Sequence, residues 1–250
     1  MKMAKKIPKA KAKAAKPVKH RTKAGRIATG IPGLDEVIEG GIPIGTLTLL
    51  SGKCGTGKSI FSLQFLCEGA RQGEPGVYIS LEEDPADILE NIRPFGWKAE
   101  ELIKQGKLAI IKPDLHRFDV LKQTIADEVD RIGAKRLVIN PFTSLTAFFD
   151  NVYEARKALS DLRRQMKTLE CTGLAVCDIK EDTNLYSSTG YEEFVASGVI
   201  VLDVRLNKES NSYVRTLFVR KMERSSHSLK LVPMEIGPKG VSVYPEAEVF

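Results

Sequence analysis

The chain has 250 residues, 42% of them hydrophobic, which is enough for one well-buried domain and short for two. No stretch approaches the roughly 18 to 20 consecutive apolar residues of a membrane helix, and the first residues lack the apolar core of a secretory signal. We therefore expect a cytoplasmic protein with no membrane contact. The four cysteines share no C-x-x-C spacing, so we expect reduced thiols rather than a zinc site or disulfides.

The positive charge of the chain is concentrated at its start. Residues 1–26 hold 11 of the 38 lysines and arginines and none of the 32 acidic residues, so the remainder is mildly acidic although the net charge is +6. A segment of Lys, Ala and Pro cannot bury enough apolar surface to offset its ordering entropy. We predict a disordered basic arm over residues 1–26 and a single domain over residues 27–250. The arm either binds nucleic-acid phosphates or is a solubilising tail, and the sequence leaves both open.

The predicted domain begins with a short helix, a strand and a second helix. Thr29 as a cap and Pro32 as a first residue predict a helix over residues 32–39, which two glycines end. The branched run at residues 46–51 predicts a strand. Apolar residues recur at helical spacing after the glycine-rich stretch that follows, at Ile60, Leu63, Leu66, Cys67 and Ala70.

The glycine-rich stretch between that strand and helix matches the phosphate-loop motif G-x-x-x-x-G-K-[ST] in full. Its glycines let backbone N–H groups point at phosphate oxygens, and the helix adds its positive N-terminal end. We expect Lys58 to reach the β and γ phosphates and Ser59 to bind Mg²⁺. A purely structural glycine turn explains neither residue. The predicted nucleotide-binding residues are Gly52, Cys54, Gly55, Thr56, Gly57, Lys58, Ser59 and Ile60. ATP is favoured over GTP because no N-K-x-D loop follows a late strand.

Strands and helices alternate through most of the remaining chain. This alternation predicts an α/β fold with a mostly parallel central sheet and helices on both faces. Hardly any helix separates the last strands, so we expect them to form antiparallel strands at one edge. The predicted strands cover residues 76–83, 107–113, 136–140, 173–179, 198–204 and 214–221, and the predicted helices cover residues 85–92, 118–132 and 152–169.

Two adjacent glutamates, Glu82 and Glu83, follow the first strand after the phosphate loop. The carboxyl ends of parallel strands open on one crevice, so these acids are expected to face the bound phosphates. There they would orient and deprotonate the water that attacks the γ phosphate. The alternative is a purely electrostatic role at the start of the next helix, but Asp84 already serves that position.

The helix over residues 152–169 places apolar residues on one side, and Arg156, Lys157, Arg163, Arg164 and Lys167 lie mainly away from that side. These cations form either a solvated helix face or a groove for nucleic acid, and the solvated face is the commoner outcome for such a pattern.

Four separated segments carry a resemblance to a known family. They read "TGIPGLDEVIEGGIPIGTLTLLSGKCGTGKSIFSLQFL", "YISLEED", "GYEEFVASGVIVL" and "VRKMERSSHS". Together they resemble the KaiC-like branch of the RecA superfamily, in a single-domain archaeal form, from about Ile27 to Val243. The resemblance implies a RecA-like P-loop ATPase fold that binds ATP or ADP with Mg²⁺. It also implies a homo-oligomer, either a ring of six or a filament, with ATP between neighbouring subunits.

The resemblance also assigns roles to individual residues. Glu82 and Glu83 match the catalytic glutamate pair of the family, and Lys221 and His227 fall where the family reaches the nucleotide of the neighbouring subunit. Two positions depart from the family pattern. Asn140 ends its strand where the family has a magnesium-assisting Asp, so we expect weaker Mg²⁺ binding, although Asn-Pro also starts turns. Glu223 occupies a position that is commonly Arg, with Arg224 one place along.

These features favour a KaiC-like ATP-binding protein with slow, Mg²⁺-dependent ATP hydrolysis coupled to its oligomeric state, in a regulatory or signalling role with an unknown protein partner. A second hypothesis is a DNA-binding recombination or repair accessory protein similar to the RadA paralogues, with the basic arm contacting nucleic acid. A third is a nucleotide-gated scaffold that binds ATP and does not cleave it.

Overall fold

The computed structural model describes residues 25–114, 117–181, 183, 185–207 and 211–247. Almost the whole of the predicted basic arm, residues 1–24, lies outside the described residues. Arg26, which we assigned to the arm from its charge, instead forms the first strand of the folded part. Its guanidinium is largely buried because it donates to the backbone carbonyls of Gly41 (2.7 Å) and Arg224 (2.6 Å).

The described chain forms eleven strands and seven α-helices. The strands are β1 Arg26–Ile27, β2 Ile42–Pro43, β3 Leu47–Gly52, β4 Gly76–Ser80, β5 Leu108–Ile111, β6 Arg136–Asn140, β7 Thr172–Asp178, β8 Gly198–Asn207, β9 Ser212–Met222, β10 Val232–Gly237 and β11 Gly240–Val243. The helices are α1 Leu34–Val37, α2 Lys58–Arg71, α3 Pro85–Ile92, α4 Ala99–Lys104, α5 Phe118–Ile132, α6 Val152–Thr168 and α7 Glu192–Val195, with 3₁₀ helices at Arg93–Phe95 and Phe142–Phe148.

Nine strands form one sheet in the order β11-β10-β9-β8-β3-β7-β6-β4-β5. The six strands from β8 to β5 are parallel, and β9, β10 and β11 continue the sheet with antiparallel pairings. The predicted architecture is therefore confirmed, including the antiparallel edge. Parallel strands are nearly continuous runs of apolar residues because helices cover both faces, and β3, β4 and β6 are buried along their whole length.

Two apolar cores lie on opposite faces of the sheet. Helices α1 to α4 pack on one face, and α5 and α6 pack on the other. One buried cation crosses the first core: Arg136 of β6 is fully buried, forms an ion pair with Glu74 and donates to the carbonyl of Phe65 at 2.7 Å. Gly69 of α2 makes room for this arginine, since a Cβ there would lie 2.1 Å from its Nε.

Several predicted boundaries differ from the structure. The first helix is shorter than predicted because Gly33, at φ 82°, is its N-cap and Thr29 instead hydrogen-bonds Asp35. Strand β4 ends at Ser80, three residues before Glu83. Asp84 stands at the N-cap of α3, but its carboxylate makes no cap hydrogen bond and pairs with Lys112 at 2.8 Å.

The hairpin of β10 and β11 is attached to the phosphate-loop side of the sheet. Gln64 of α2 accepts from the Val241 amide (2.6 Å) and donates to its carbonyl (3.0 Å). The indole of Trp97 donates to the carbonyl of Lys239 at 3.0 Å in the hairpin turn. Ile236 of β10 contacts Gly57, where an added Cβ would lie 2.6 Å from the isoleucine Cδ1. These contacts hold the hairpin against α2 and the loop that precedes it.

Candidate functional site

The predicted phosphate loop connects β3 to α2 at the carboxyl end of the sheet. Gly57, at φ 101°, is the N-cap of α2, and Gly55 has φ 76°. These left-handed conformations favour glycine, and a Cβ on Gly55 would meet nothing within 4 Å. At Gly52, an added Cβ would lie 2.7 Å from the Leu202 carbonyl oxygen, so close packing requires glycine there. The loop is thus an open backbone cradle at a helix N-terminus, which suits an anion.

Lys58 is the first residue of α2, and its side chain folds back over the loop. Its ammonium donates to the carbonyls of Gly52 (2.8 Å) and Lys53 (2.9 Å) and forms a 3.0 Å ion pair with Asp178. Lys58 is only 9% exposed, whereas about half of the Asp178 side chain is exposed. The ammonium is therefore held at the loop by one carboxylate and two carbonyls, and an arriving phosphate would replace the carboxylate.

Asp178 did not emerge from the sequence analysis as a site residue. It ends β7, the strand beside β3, and pairs in register with Gly52 at the start of the loop. Glu82 and Glu83 were predicted as acids that end a strand next to the phosphate-loop strand, but β7 and β6 separate β4 from β3. Asp178 does end a strand next to β3, so the same criterion indicates Asp178 instead.

Asn140 contacts the predicted magnesium ligand. Its amide nitrogen lies 3.2 Å from the Ser59 hydroxyl and donates to the Tyr78 hydroxyl at 2.5 Å. Tyr78 is fully buried, and this burial raises the pKa of its hydroxyl to about 12, so the phenol is neutral at ordinary pH. The position predicted to assist the metal thus lies beside Ser59 but carries no charge. Tyr78 was not predicted as a site residue, because a tyrosine within a run of apolar strand residues is typical of the hydrophobic core.

The two glutamates lie just beyond β4 and are both exposed. Glu82 accepts a hydrogen bond from the Ser144 hydroxyl at 2.6 Å. No side chain in the described part of the protein donates to the Glu83 carboxylate, while the Glu83 carbonyl accepts from Ser80 at 2.5 Å. The hydrogen bond from Ser80 fixes the backbone at Glu83. The Glu83 carboxylate itself is exposed.

These residues share one cavity of about 400 Å³, which we call the loop cavity. Gly52 and Thr56 do not line it: Gly52 is packed under the loop, and the Thr56 hydroxyl donates to the Lys53 carbonyl at 2.9 Å. The sequence did not indicate Arg215 and Ile236, which reach the cavity from the antiparallel strands. The lining residues are Cys54, Gly55, Gly57, Lys58, Ser59, Ile60, Glu82, Glu83, Asn140, Pro141, Asp178, Arg215 and Ile236.

The donors in the loop cavity fit a nucleotide phosphate with Mg²⁺. The glycine cradle, Lys58 and Arg215 offer positive groups, and the Ser59 hydroxyl is an oxygen ligand of the kind that Mg²⁺ takes. Nowhere in the described ranges do three or more His, Cys, Asp or Glu side chains converge as a metal cluster.

The residues predicted to reach a neighbouring subunit lie at the opposite, amino end of the parallel strands. The Lys221 ammonium donates to the Ala196 carbonyl at 2.6 Å and lies 3.6 Å from the Glu223 carboxylate. Arg224 is exposed and has φ 60°, a left-handed conformation that is uncommon outside glycine. The ring nitrogens of His227 are buried and have no hydrogen-bond partner among the described residues.

The cysteines divide into one exposed and three buried thiols, all of them free. Cys54 is exposed on the phosphate loop. Burial raises the pKa of Cys67 and of Cys171 to about 12 and raises that of Cys177 well above its usual value. Only the thiolate is a good nucleophile, so the three buried cysteines are inert at neutral pH.

The parallel sheet with its antiparallel edge, together with a phosphate-loop motif between a strand and a helix, defines a RecA-like P-loop fold. The family model described as "ATPase: KaiC" matches residues 27–248. The chain belongs to the KaiC family of ATPases. Within the described ranges, no helix has the length and apolarity to cross a membrane.

Relatives of this chain include proteins of similar length and longer ones. A UPF0273 protein of Pyrococcus furiosus is 37% identical over 242 residues, which cover 88% of this chain and 94% of the relative. The circadian clock oscillator protein KaiC of Parasynechococcus marenigrum is 34% identical, and the match covers 88% of this chain but only 45% of the clock protein. The crystal structure of a KaiC-like protein from Pyrococcus horikoshii superposes with a TM-score of 0.79 at 39% identity, covering 88% of this chain and 99% of the other.

Proposed function

We propose that this protein binds ATP in the loop cavity and hydrolyses it slowly with Mg²⁺, and that nucleotide state sets the packing of identical subunits. One observation carries the proposal: the loop presents Lys58 and the Ser59 hydroxyl to the same cavity as Glu82 and Glu83. A cradle for phosphate and a pair of carboxylates for water are the two parts that hydrolysis of a phosphoanhydride requires.

Each residue has a distinct part in this proposal. Lys58 exchanges Asp178 for the phosphates, and the loop amides and Ser59 position the phosphates and Mg²⁺. Mg²⁺ held by Ser59 would supply positive charge to offset the charge that develops on the phosphate oxygens. The Glu83 carboxylate accepts the proton of the attacking water, because no described donor occupies it. Glu82, held by Ser144, positions the segment that carries Glu83.

Slow turnover follows from the neutral side chain beside Ser59. An aspartate at this position would accept hydrogen bonds from metal-bound water and add negative charge near Mg²⁺. The side-chain amide of Asn140 instead donates to the hydroxyl groups of Ser59 and Tyr78. Ser59 would then be the residue that holds Mg²⁺, without support from a carboxylate at position 140, so we expect weaker metal binding.

The proposed coupling to oligomeric state involves residues at the amino ends of the parallel strands. We propose that Lys221, Arg224 and His227 face the nucleotide of a neighbouring subunit in a ring or filament. The exposed side chain of Arg224 supports this, because a residue that contacts a neighbouring subunit must be accessible in the single chain. A cytoplasmic location and a regulatory role with a further protein partner are part of the same proposal and rest on the sequence and the family.

Phosphate release from ATP, measured per subunit with Mg²⁺, tests the proposal. We expect measurable turnover that falls by about 10²- to 10⁴-fold in Glu83→Gln, the usual range for loss of a general base. Glu90→Gln is a matched control, because Glu90 is an exposed glutamate on α3 that does not line the loop cavity. Turnover that survives in Glu83→Gln at the wild-type rate would show that the hydrolysis does not occur as proposed.

A nucleotide-gated scaffold is the second candidate, and Asn140 is the observation that favours it. The same assay separates the two functions. Tight ATP binding without phosphate release, in a protein that retains Glu83, would identify the scaffold. Turnover that depends on Glu83 would exclude it.

A further inference from the structure

A second, larger cavity opens at the amino ends of the parallel strands. The loop cavity lies at the other, carboxyl end of the same strands. Its volume is about 670 Å³, and its walls come from α6, α7 and the residues that precede β3 and β8. We call it the cationic cleft. Its lining residues are Ile44, Gly45, Thr46, Arg156, Ser160, Arg163, Arg164, Lys167, Phe194, Val195, Ser197, Glu223 and Arg224.

The charge of the cleft is strongly one-sided. Five cations line it against a single acid, Glu223, and that acid is engaged by Arg163 at 2.6 Å. Within the described part of the chain, Arg156, Lys167 and Arg224 have no carboxylate partner. Unpaired cations gathered in a concave site attract anions more strongly than the same charges spread over a surface.

The cations of α6 form a continuous row. Arg156, Ser160, Arg163 and Lys167 follow one another at intervals of three and four residues, so they share one face of the helix. At 1.5 Å per residue, the row extends over about 16 Å, which is longer than a single phosphate requires. Lys157, which follows Arg156 in the sequence, lines a different cavity together with Phe118 and Phe148.

An aromatic side chain lines the same cleft. Phe194 of α7 lines the cleft and is 71% exposed, an unusual position for a large apolar residue in the described part of the protein. A positively charged groove with an exposed aromatic ring is the arrangement that holds single-stranded nucleic acid, with phosphates on the cations and a base on the ring. Small anions would use the cations but leave the ring without a function.

We propose that the cationic cleft binds single-stranded nucleic acid through its phosphate backbone, with one base stacked on Phe194. The chain enters the fold next to this cleft, since Arg26 donates to the backbone carbonyl of Arg224 at its rim. The binding is independent of sequence, because the cations contact phosphates rather than base edges. It does not require ATP hydrolysis.

Fluorescence polarisation of the full chain with a labelled 20-residue oligothymidylate tests the proposal. The double variant R156E/K167E is expected to bind at least about tenfold more weakly and to lower the slope of log affinity against log salt by roughly 0.7 for each phosphate that is no longer neutralised. Phe194→Ala is expected to cost at least about fivefold, as for a stacked base. Lys157→Glu is the matched control, because it makes the same charge change one residue along α6 and outside the cleft, and we expect less than a twofold effect.

Four results would overturn the proposal. They are no binding by the wild-type chain, equally weakened binding in Lys157→Glu and Arg156→Glu, unchanged binding by R156E/K167E, and equal affinity for a duplex of the same length. Sedimentation of each variant at the same concentration excludes one further explanation. If R156E/K167E loses binding only because an oligomer dissociates, the cleft is an interface between copies of this chain and the proposal is wrong. Arg224 is left unchanged, because it also belongs to the edge proposed to face a neighbouring subunit.

Discussion

At the carboxyl ends of the parallel strands, the loop cavity offers an anion the backbone of a glycine loop, the start of α2 and the ammonium of Lys58. At the amino ends of the same strands, the cationic cleft offers only side chains, most of them from one face of α6. A backbone cradle is fixed by the fold and holds a phosphate in one geometry, which hydrolysis requires. A row of flexible cations holds many phosphates in many geometries, which suits a polymer. The comparison therefore predicts that loss of one cation costs more at the loop cavity than at the cationic cleft.

The largest expected effect on ATP binding is at Lys58. Its ammonium is largely buried and lies against the loop, where it donates to the carbonyls of Gly52 and Lys53. Lys58→Ala should weaken ATP binding by roughly 10- to 100-fold, the range for a hydrogen-bonded charge, as measured by calorimetry with Mg²⁺. The same variant should bind oligothymidylate as the wild type does. Loss of both activities together would show that the two ends of the sheet are not separate sites.

The next effect concerns the metal-assisting position. Asn140→Asp should raise the turnover rate and lower the Mg²⁺ concentration at half-maximal rate by roughly tenfold each, because a carboxylate beside Ser59 orders metal-bound water. Asn140→Ala serves as the comparison, because it removes the amide without adding charge and should not accelerate turnover. A rate in Asn140→Asp no higher than that of the wild type would remove our reason for expecting slow hydrolysis.

A smaller effect is expected at Asp178. This carboxylate holds the Lys58 ammonium at 3.0 Å and must release it when phosphate arrives. Asp178→Asn should therefore strengthen ATP binding by about two- to fivefold, a modest change because the aspartate is half exposed. Glu181→Gln is a suitable control, since Glu181 pairs with the neighbouring Lys53 and does not line the loop cavity. Weaker ATP binding by Asp178→Asn would indicate that Asp178 contacts the bound metal or nucleotide instead.

The smallest effects concern the thiols and can be read by mass spectrometry after alkylation at neutral pH. Cys54 should react first and be protected by ATP, while Cys67, Cys171 and Cys177 stay unmodified in the folded protein.

Burial raises the pKa of Cys67 and Cys171 from 9.0 to about 12 in the folded protein, so the same thiols ionise at lower pH in the unfolded chain. Unfolding free energy should therefore fall between pH 9 and 12, and chemical denaturation at several pH values would test this.

The sequence predicted what depends on local pattern. Helix α5 and strand β6 have the predicted bounds, since apolar spacing and flanking residues determine both. The phosphate loop was recognisable because its chemistry lies within eight consecutive residues. Asp178 and Tyr78 were not, because they join the site only through strand register: Asp178 pairs with Gly52, and Tyr78 lies one strand from Asn140. The ion pair of Arg163 with Glu223 likewise depends on tertiary structure, because it joins α6 to the residue that follows β9.

The attachment of the C-terminal hairpin to the phosphate loop also makes the protein its own optical sensor. Trp97 is the only tryptophan of the chain, it stacks on Phe95 and its indole N–H is bonded to the turn of that hairpin. Ile236 of the same hairpin lies against Gly57. We therefore expect that a change in loop conformation on ligand binding moves the hairpin and changes the surroundings of the indole. Tryptophan emission should thus follow loop occupancy without any label, and Trp97→Phe would supply the dark reference.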